Sequence, residues 1–286
     1  MPEISQIIIY PFKSLPGIKL SSARFTSAGI LEGDREFAFF TSDGRFVNGK
    51  RFEAIHHIRT SFDLSNRLIT LWSDTKPYPQ SFHMDQQCTQ ITTWVSQQLN
   101  LPNIELKHNP IAGFPDDTKS PGPTLATEAS LIAAGNYFNP IISLEEMIER
   151  MRVNILISDV EAYWEDTIST NAETGGILKL GDIKLIVTNP CQRCIVPTRN
   201  PQTGIATPQF IKTFMQQRYA NLPLAVKQDL RYERNSYRLS VNVLGPSNGA
   251  IHVRERNVSI EENRIPLRKF DGKTSTELLK NNFLLN

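Results

Sequence analysis

Cysteine is scarce in this chain of 286 residues, being limited to Cys88, Cys191 and Cys194. Three is an odd number and too few for a disulfide framework at this length. It also excludes a four-cysteine iron-sulfur cluster built from these residues alone. Long apolar runs are missing too. No stretch approaches the roughly 20 residues of a membrane-spanning helix, so no membrane partner is expected. The start, Met1-Pro2-Glu3-Ile4-Ser5, has no basic segment leading into an apolar one; no secretory or transit signal is read there, and a cytoplasmic location is expected. An excess of either charge is absent as well. Lys plus Arg number 31 and Asp plus Glu 29, a formal charge of +2, which gives no global field favouring nucleic acid. Any anion site must be built locally.

What is present is patterning for two units. Ile7-Ile8-Ile9-Tyr10, Phe37-Ala38-Phe39-Phe40 and Arg67-Leu68-Ile69-Thr70-Leu71-Trp72 read as strands, with Ser42-Asp43-Gly44 as a hairpin turn. Ile91, Val95 and Leu99 are four apart, which predicts a helix over 89–99 that Pro102 ends. The first unit, residues 1–108, is thus expected as a small, mostly antiparallel β domain. Residues 109–123, with Gly113, Pro115, Pro121 and Gly122, have linker composition. The second unit, 124–260, is expected to hold helices near 128–134 and 143–150 and strands at 153–157 and 184–187. A helix near 208–218 and strands at 239–244 and 250–253 complete it. Ser143 and Glu146 have capping-box spacing. Residues 261–286, with Glu261-Glu262-Asn263-Arg264 and Lys280-Asn281-Asn282, read as a polar tail.

Chemistry concentrates at Asn189-Pro190-Cys191-Gln192-Arg193-Cys194-Ile195-Val196. A lone C-x-x-C leaves four readings open. Structural zinc lacks a second ligand pair, since His56 and His57 are adjacent. A thioredoxin-like dithiol needs a helix N-terminus, which Pro190 and Pro197 disfavour. Two buried small hydrophobes are the plain alternative. The fourth reading is a single thiolate on a redox metal, supported by the cation Arg193 next to Cys194. A second constellation is cationic: Lys13 and Ser14 just after Pro11, Arg35 after Gly33-Asp34, and Arg152 with Asn154 on alternate positions of an expected strand. Arginine forks and a lysine point charge suit phosphate, provided the fold converges them.

Tyr10-Pro11-Phe12-Lys13-Ser14, Gly33-Asp34-Arg35, Thr127-Glu128-Ala129-Ser130-Leu131, Arg152-Val153-Asn154-Ile155 and Arg193-Cys194-Ile195-Val196, continuing to Pro201-Gln202-Thr203-Gly204, follow in one order. In that order the chain resembles MOSC-domain proteins with an N-terminal MOSC β-barrel domain, the group of the mitochondrial amidoxime-reducing component and its bacterial relatives. The resemblance implies a mostly β (α+β) fold of two barrel-like units with few short helices. It implies a molybdenum cofactor (Mo-molybdopterin) between them, its metal on Cys194 as the catalytic residue. Cofactor contacts would be Lys13, Ser14, Arg35, Thr127, Arg152, Asn154 and Arg193. The activity implied is reduction of N-hydroxylated small molecules such as amidoximes. The electrons would come from a separate donor, a ferredoxin, cytochrome or flavoprotein. Cofactor or sulfur carriage on Cys194 without turnover is the alternative, and a metal-free phosphate-ligand protein a third. Pro197-Thr198-Arg199-Asn200 departs from the Thr-Thr-Val-Asp of close relatives, and 220–238 carries no resemblance.

Overall fold

The computed structural model describes residues 1–118, 120–168, 171–267 and 274–278. Its largest element is an eight-stranded sheet, in the spatial order Val258–Pro266, Thr174–Leu180, Ile183–Gln192, Arg238–Leu244, Thr124–Thr127, Ile155–Ser158, Glu3–Ile9, Ile18–Leu20. Neighbours are antiparallel except Thr124–Thr127 and Ile155–Ser158, which run parallel. A parallel pair needs a long crossover, and helices Glu128–Gly135 and Leu144–Met151 supply it. Ile155, Leu156 and Ile157 are all fully buried, as expected of a strand covered on both faces.

Side-chain alternation divides the sheet between two cores. Ile7, Ile155, Leu178, Val187 and Val241 pack together on one side. Ile8 and Leu156 face the other, against Leu131 and Met147 of the crossover helices and Phe210 and Phe214 of helix Phe210–Ala220. Leu239 joins this second core although Val241, two residues on, belongs to the first. The residue between them, Ser240, has a left-handed φ of 66°, which breaks the two-residue alternation.

A third core of Phe12, Phe37, Ile69, Leu71, Ile91 and Trp94 lies within the sheet Ile58–Asp63, Leu68–Ser73, Lys76–His83, the pair Phe37–Phe40 with Glu105–His108, and helix Cys88–Leu99. Strand Glu3–Ile9 is bonded into the large sheet, yet Phe12 sits in this third core. The chain therefore crosses between cores at Tyr10-Pro11.

The mostly β composition with short helices is as expected. Helices Cys88–Leu99, Leu144–Met151 and Phe210–Ala220 fall within two residues of their expected places. Gly44 turns tightly, its N–H donating to Thr41 O at 2.8 Å. Ser143 caps its helix by accepting from Glu146 N at 3.2 Å. Two expectations need correction. Residues 261–266 do not begin a tail but complete a strand paired with Thr174–Leu180; it is the edge of the sheet, where polar side chains such as Glu262 and Asn263 reach water. Lys280-Asn281-Asn282 lies outside the described residues. Arg152 and Asn154 do not share a strand face: the strand begins at Ile155, and Arg152 is the left-handed cap that ends helix Leu144–Met151. Among the described residues no helix is long and apolar enough to cross a membrane.

Candidate functional site

A cavity of about 900 Å³ opens where the chain crosses between cores, a size suited to a small organic ligand. A row of polar side chains runs along it, from Asn189, Asn242 and Thr124 on three strands, which line it, to Asn154 just before a fourth. Asn189 pairs in register with Asn242, and Asn242 with Thr124. Asn242 Nδ2 donates to Asn189 Oδ1 at 3.2 Å, and Thr124 N donates to Asn154 Oδ1 at 3.1 Å. Asn154 Nδ2 then donates to Ile8 O at 2.9 Å. Buried amides of this kind need partners, and each finds its partner on the next strand.

Beyond the Asn154 end stand the cations. Arg35 Nη1 donates to Asn154 Oδ1 at 3.3 Å and to Asp34. Asp34 also accepts from Tyr10 N at 2.8 Å. Lys13, 4% exposed, gives its ammonium to Asp116 Oδ1 at 2.7 Å and Phe114 O at 2.9 Å. Arg152 stacks 4.1 Å over the Tyr10 ring and donates to Leu15 O at 2.7 Å; among the described residues its buried Nη2 has no partner. Burial pushes the Lys13 pKa down and lifts Tyr10 to about 12. The ammonium of Lys13 and the guanidinium of Arg35 hold the Asp116 carboxyl below its usual range. Gly17 permits the close packing under Tyr10, since a Cβ there would lie 2.7 Å from the ring.

Ser14, Arg35 and Arg152 all have left-handed φ, at 72°, 51° and 51°. A non-glycine residue in that region costs about 1–2 kcal/mol, and such strain clusters where function fixes the backbone. Three of these residues line one cavity, with an orphaned guanidinium nitrogen among them, and form a cationic cradle assembled from three distant segments.

At the other end of the row lie the cysteines. Cys191 is buried within strand Ile183–Gln192, and its Sγ donates to Asn242 Oδ1 at 2.8 Å; burial pushes this thiol pKa up. Cys194 follows the strand, half-buried on the turn before Val196–Thr198, and lines the cavity. Its Sγ accepts from Val196 N at 3.5 Å. The two cysteines thus have different surroundings, which fits neither a matched dithiol nor a zinc pair. Glu36, Asp85 and His108 could group around an ion, but Arg67 already pairs with both carboxylates at 2.7 and 2.6 Å.

Of the expected site residues, Lys13, Ser14, Arg35, Arg152, Arg193 and Cys194 line this one cavity. Three have roles other than those expected. Thr127 is fully buried as the cap of helix Glu128–Gly135, where its Oγ1 accepts from Ser130 N at 3.0 Å and donates to Glu165 at 3.2 Å. It does not reach the cavity, because a helix cap directs its side chain back at its own backbone. Asn154 is likewise outside the lining and holds Arg35 and Thr124 instead. Arg193 spends its donors on Leu239 O at 2.9 Å, Met151 O at 3.0 Å and the Ser240 hydroxyl, tying the turn before Cys194 to its neighbours. Asp116, Tyr10, Asn189 and Asn242 were not expected from sequence as site residues. The alternation Ser240-Val241-Asn242-Val243 carries a signal for Asn242: a polar side chain recurring within an apolar strand.

Residues 1–103 match the model of the MOSC N-terminal beta barrel domain, and residues 131–231 that of the MOSC domain. Among curated proteins, Molybdenum cofactor sulfurase of Drosophila mojavensis is 25% identical over 239 residues, 74% of this chain and 30% of that protein. Mitochondrial amidoxime reducing component 2 of Rattus norvegicus is 23% identical over 244 residues, 71% of this chain and 68% of that protein. Mitochondrial amidoxime-reducing component 1 of Danio rerio is 23% identical over 243 residues, 71% of this chain and 70% of that protein. The chain thus spans under a third of the sulfurase but more than two thirds of the amidoxime-reducing components. With both domain models matched in order on the two sides of the cavity, the chain is a MOSC-domain protein preceded by a MOSC N-terminal beta barrel domain.

Proposed function

We propose that this protein binds molybdenum cofactor in the cavity and reduces N-hydroxylated small molecules with electrons from a separate donor protein. The observation that carries the reading is the pairing, in one cavity, of the half-exposed Cys194 with the cradle of Lys13, Ser14, Arg35 and Arg152. The donor set fits the group. A thiol on an open turn suits a soft redox metal, and the orphaned Nη2 of Arg152 suits a phosphate oxygen. Cys194 would hold the metal; Lys13, Ser14, Arg35 and Arg152 would hold the phosphate and pterin end. When bound, the cofactor supplies two-electron reduction with removal of oxygen from nitrogen.

The chain's own residues supply placement and charge. Asp116 occupies Lys13 and approaches Arg35 at 3.9 Å, and an incoming phosphate would displace it. The polar row of Asn189, Asn242 and Thr124 offers amide and hydroxyl groups between the two ends. For an amidoxime the balance is one substrate, two electrons and two protons giving an amidine and water. These residues include no electron carrier of the four-cysteine type, so a ferredoxin, cytochrome or flavoprotein is the class of donor.

The match to sulfurases favours a second reading, carriage of the cofactor or its sulfur without turnover. One preparation separates the two. Protein made in a host that synthesises molybdenum cofactor is assayed for molybdenum and pterin, then for reduction of benzamidoxime with reduced methyl viologen. Bound metal with turnover is expected. Bound metal without turnover would establish the carrier, and folded protein free of molybdenum would sink both.

A further inference from the structure

Eleven Lys and Arg line the cavity against four Asp and Glu, in a chain whose overall formal charge is only +2. The cradle at the Asn154 end accounts for three of these cations. A second group stands at the opposite end of the polar row, in the segment 229–238 that lies largely outside the resemblance.

Arg238 opens strand Arg238–Leu244 and pairs in register with Gln192, two residues before Cys194. Its guanidinium is held by neutral groups. Nη1 donates to Pro190 O at 2.8 Å, Nε to Arg231 O and Asn235 O at 3.1 Å, and Nη2 to Gln192 Oε1 at 3.2 Å. Among the described residues no carboxylate lies within ion-pair distance of it. Arg231, also at the cavity wall, is matched by Asp229, with Nε 2.9 Å from Oδ2. Burial lowers the Arg238 pKa, with Tyr232 and Asp229 working against the shift and Arg231 with it. A planar fork fixed by backbone carbonyls is pre-ordered, so little side-chain freedom remains to be lost when an oxyanion arrives.

We propose that Arg238, backed by Arg231, anchors a carboxylate or phosphate group on the substrate, so that the protein selects anionic N-hydroxylated compounds over neutral ones. The inference rests on the reading of Cys194 as the reacting end, because Gln192 and Arg238 set the anchor beside the turn that carries it. A cofactor phosphate at the Lys13 end and a substrate anion at the Arg238 end would then occupy opposite ends of the polar row.

The experiment measures binding as well as turnover. Calorimetry on the molybdenum-loaded protein compares benzamidine with 4-carboxybenzamidine and 4-phosphonobenzamidine, and kcat/KM compares benzamidoxime with 4-carboxybenzamidoxime. Both charged amidines should bind about tenfold tighter than the neutral one, the scale of one charge-assisted hydrogen bond, and kcat/KM should follow. Arg238→Gln should bring each charged-to-neutral ratio close to one. Gln192→Glu, at an exposed position, places a carboxylate on the intact Arg238 and should do the same; it keeps the test valid if Arg238→Gln folds poorly. Equal binding of charged and neutral amidines, or a preference that survives both variants, overturns the anchor. A loss of pterin from Arg238→Gln would assign this end to the cofactor and also overturn it. Charged amidines bound tightly with no amidoxime reduced would uphold the anchor while the proposed reduction fails.

Discussion

Cys191 and Asn242 face one another on adjacent strands, the buried thiol donating to Oδ1 at 2.8 Å. That bond fixes the role of the first cysteine as part of the wall. Cys191→Ser keeps a donor of similar reach, so the protein should retain its molybdenum and lose about 1 kcal/mol of stability or less. Cys194→Ser replaces the soft ligand with a hard one and should leave the protein folded without bound molybdenum. Metal analysis with thermal melting of both variants checks the contrast, and equal metal loss from both would restore a dithiol or zinc reading.

Asp116 serves as a built-in counterion for Lys13 and Arg35. Removing its charge should make the cradle greedier for anions. Asp116→Asn should bind inorganic phosphate about tenfold more tightly than the parent, and phosphate should raise its melting temperature more. Cofactor-free protein carries out this test, read by melting across a phosphate titration at constant ionic strength.

Arg218 and Asp166 form an ion pair at 0% and 2% exposure, and Tyr232 also donates to Asp166. Helix Phe210–Ala220 is thereby fastened to the turn Trp164–Ile168. Breaking a buried pair strands the remaining charge, which costs about 3–5 kcal/mol. Asp166→Asn should lower stability by that amount in denaturant melts while the far-ultraviolet dichroism of the surviving fold stays the same. A change below about 1 kcal/mol would show that water reaches Arg218.

Glu165, next in sequence, is fully buried and lifted to about 7, first by burial and then by Asp166. Its folded pKa therefore lies above its unfolded value. Between roughly pH 4.5 and 7 the folded state binds more protons, so stability falls as pH rises through this window. Glu165→Gln should flatten that part of the stability profile. Denaturant melts from pH 4.5 to 8 decide it, and an unchanged slope would mean that another group titrates there.

Much of the fold was legible because local rules governed it. The helical spacing of Ile91, Val95 and Leu99, the Ser143 cap and the Asp43-Gly44 turn depend only on near neighbours. Strands 58–63 and 76–83 were missed. The Pro-containing edge Lys76–His83 is mostly exposed, and an exposed edge strand lacks the apolar alternation by which a strand is read. Arg152 and Asn154 were expected on one strand face because alternation was extended two residues too far; the preceding helix claimed Arg152 as its cap.

The sequence by itself determined the mostly β composition and the three cationic motifs. Tertiary structure decided which of their residues meet. Lys13, Arg35 and Arg152 converge because strand Glu3–Ile9 joins a sheet whose partner strand begins at Ile155, more than a hundred residues away. Thr127 was turned inward by its helix, and Arg238 was brought beside the Cys194 turn by its register with Gln192. The physical reason is the same in each case. A charge or a thiol acquires its chemistry from what burial and pairing place around it, and those neighbours come from segments that local sequence does not relate.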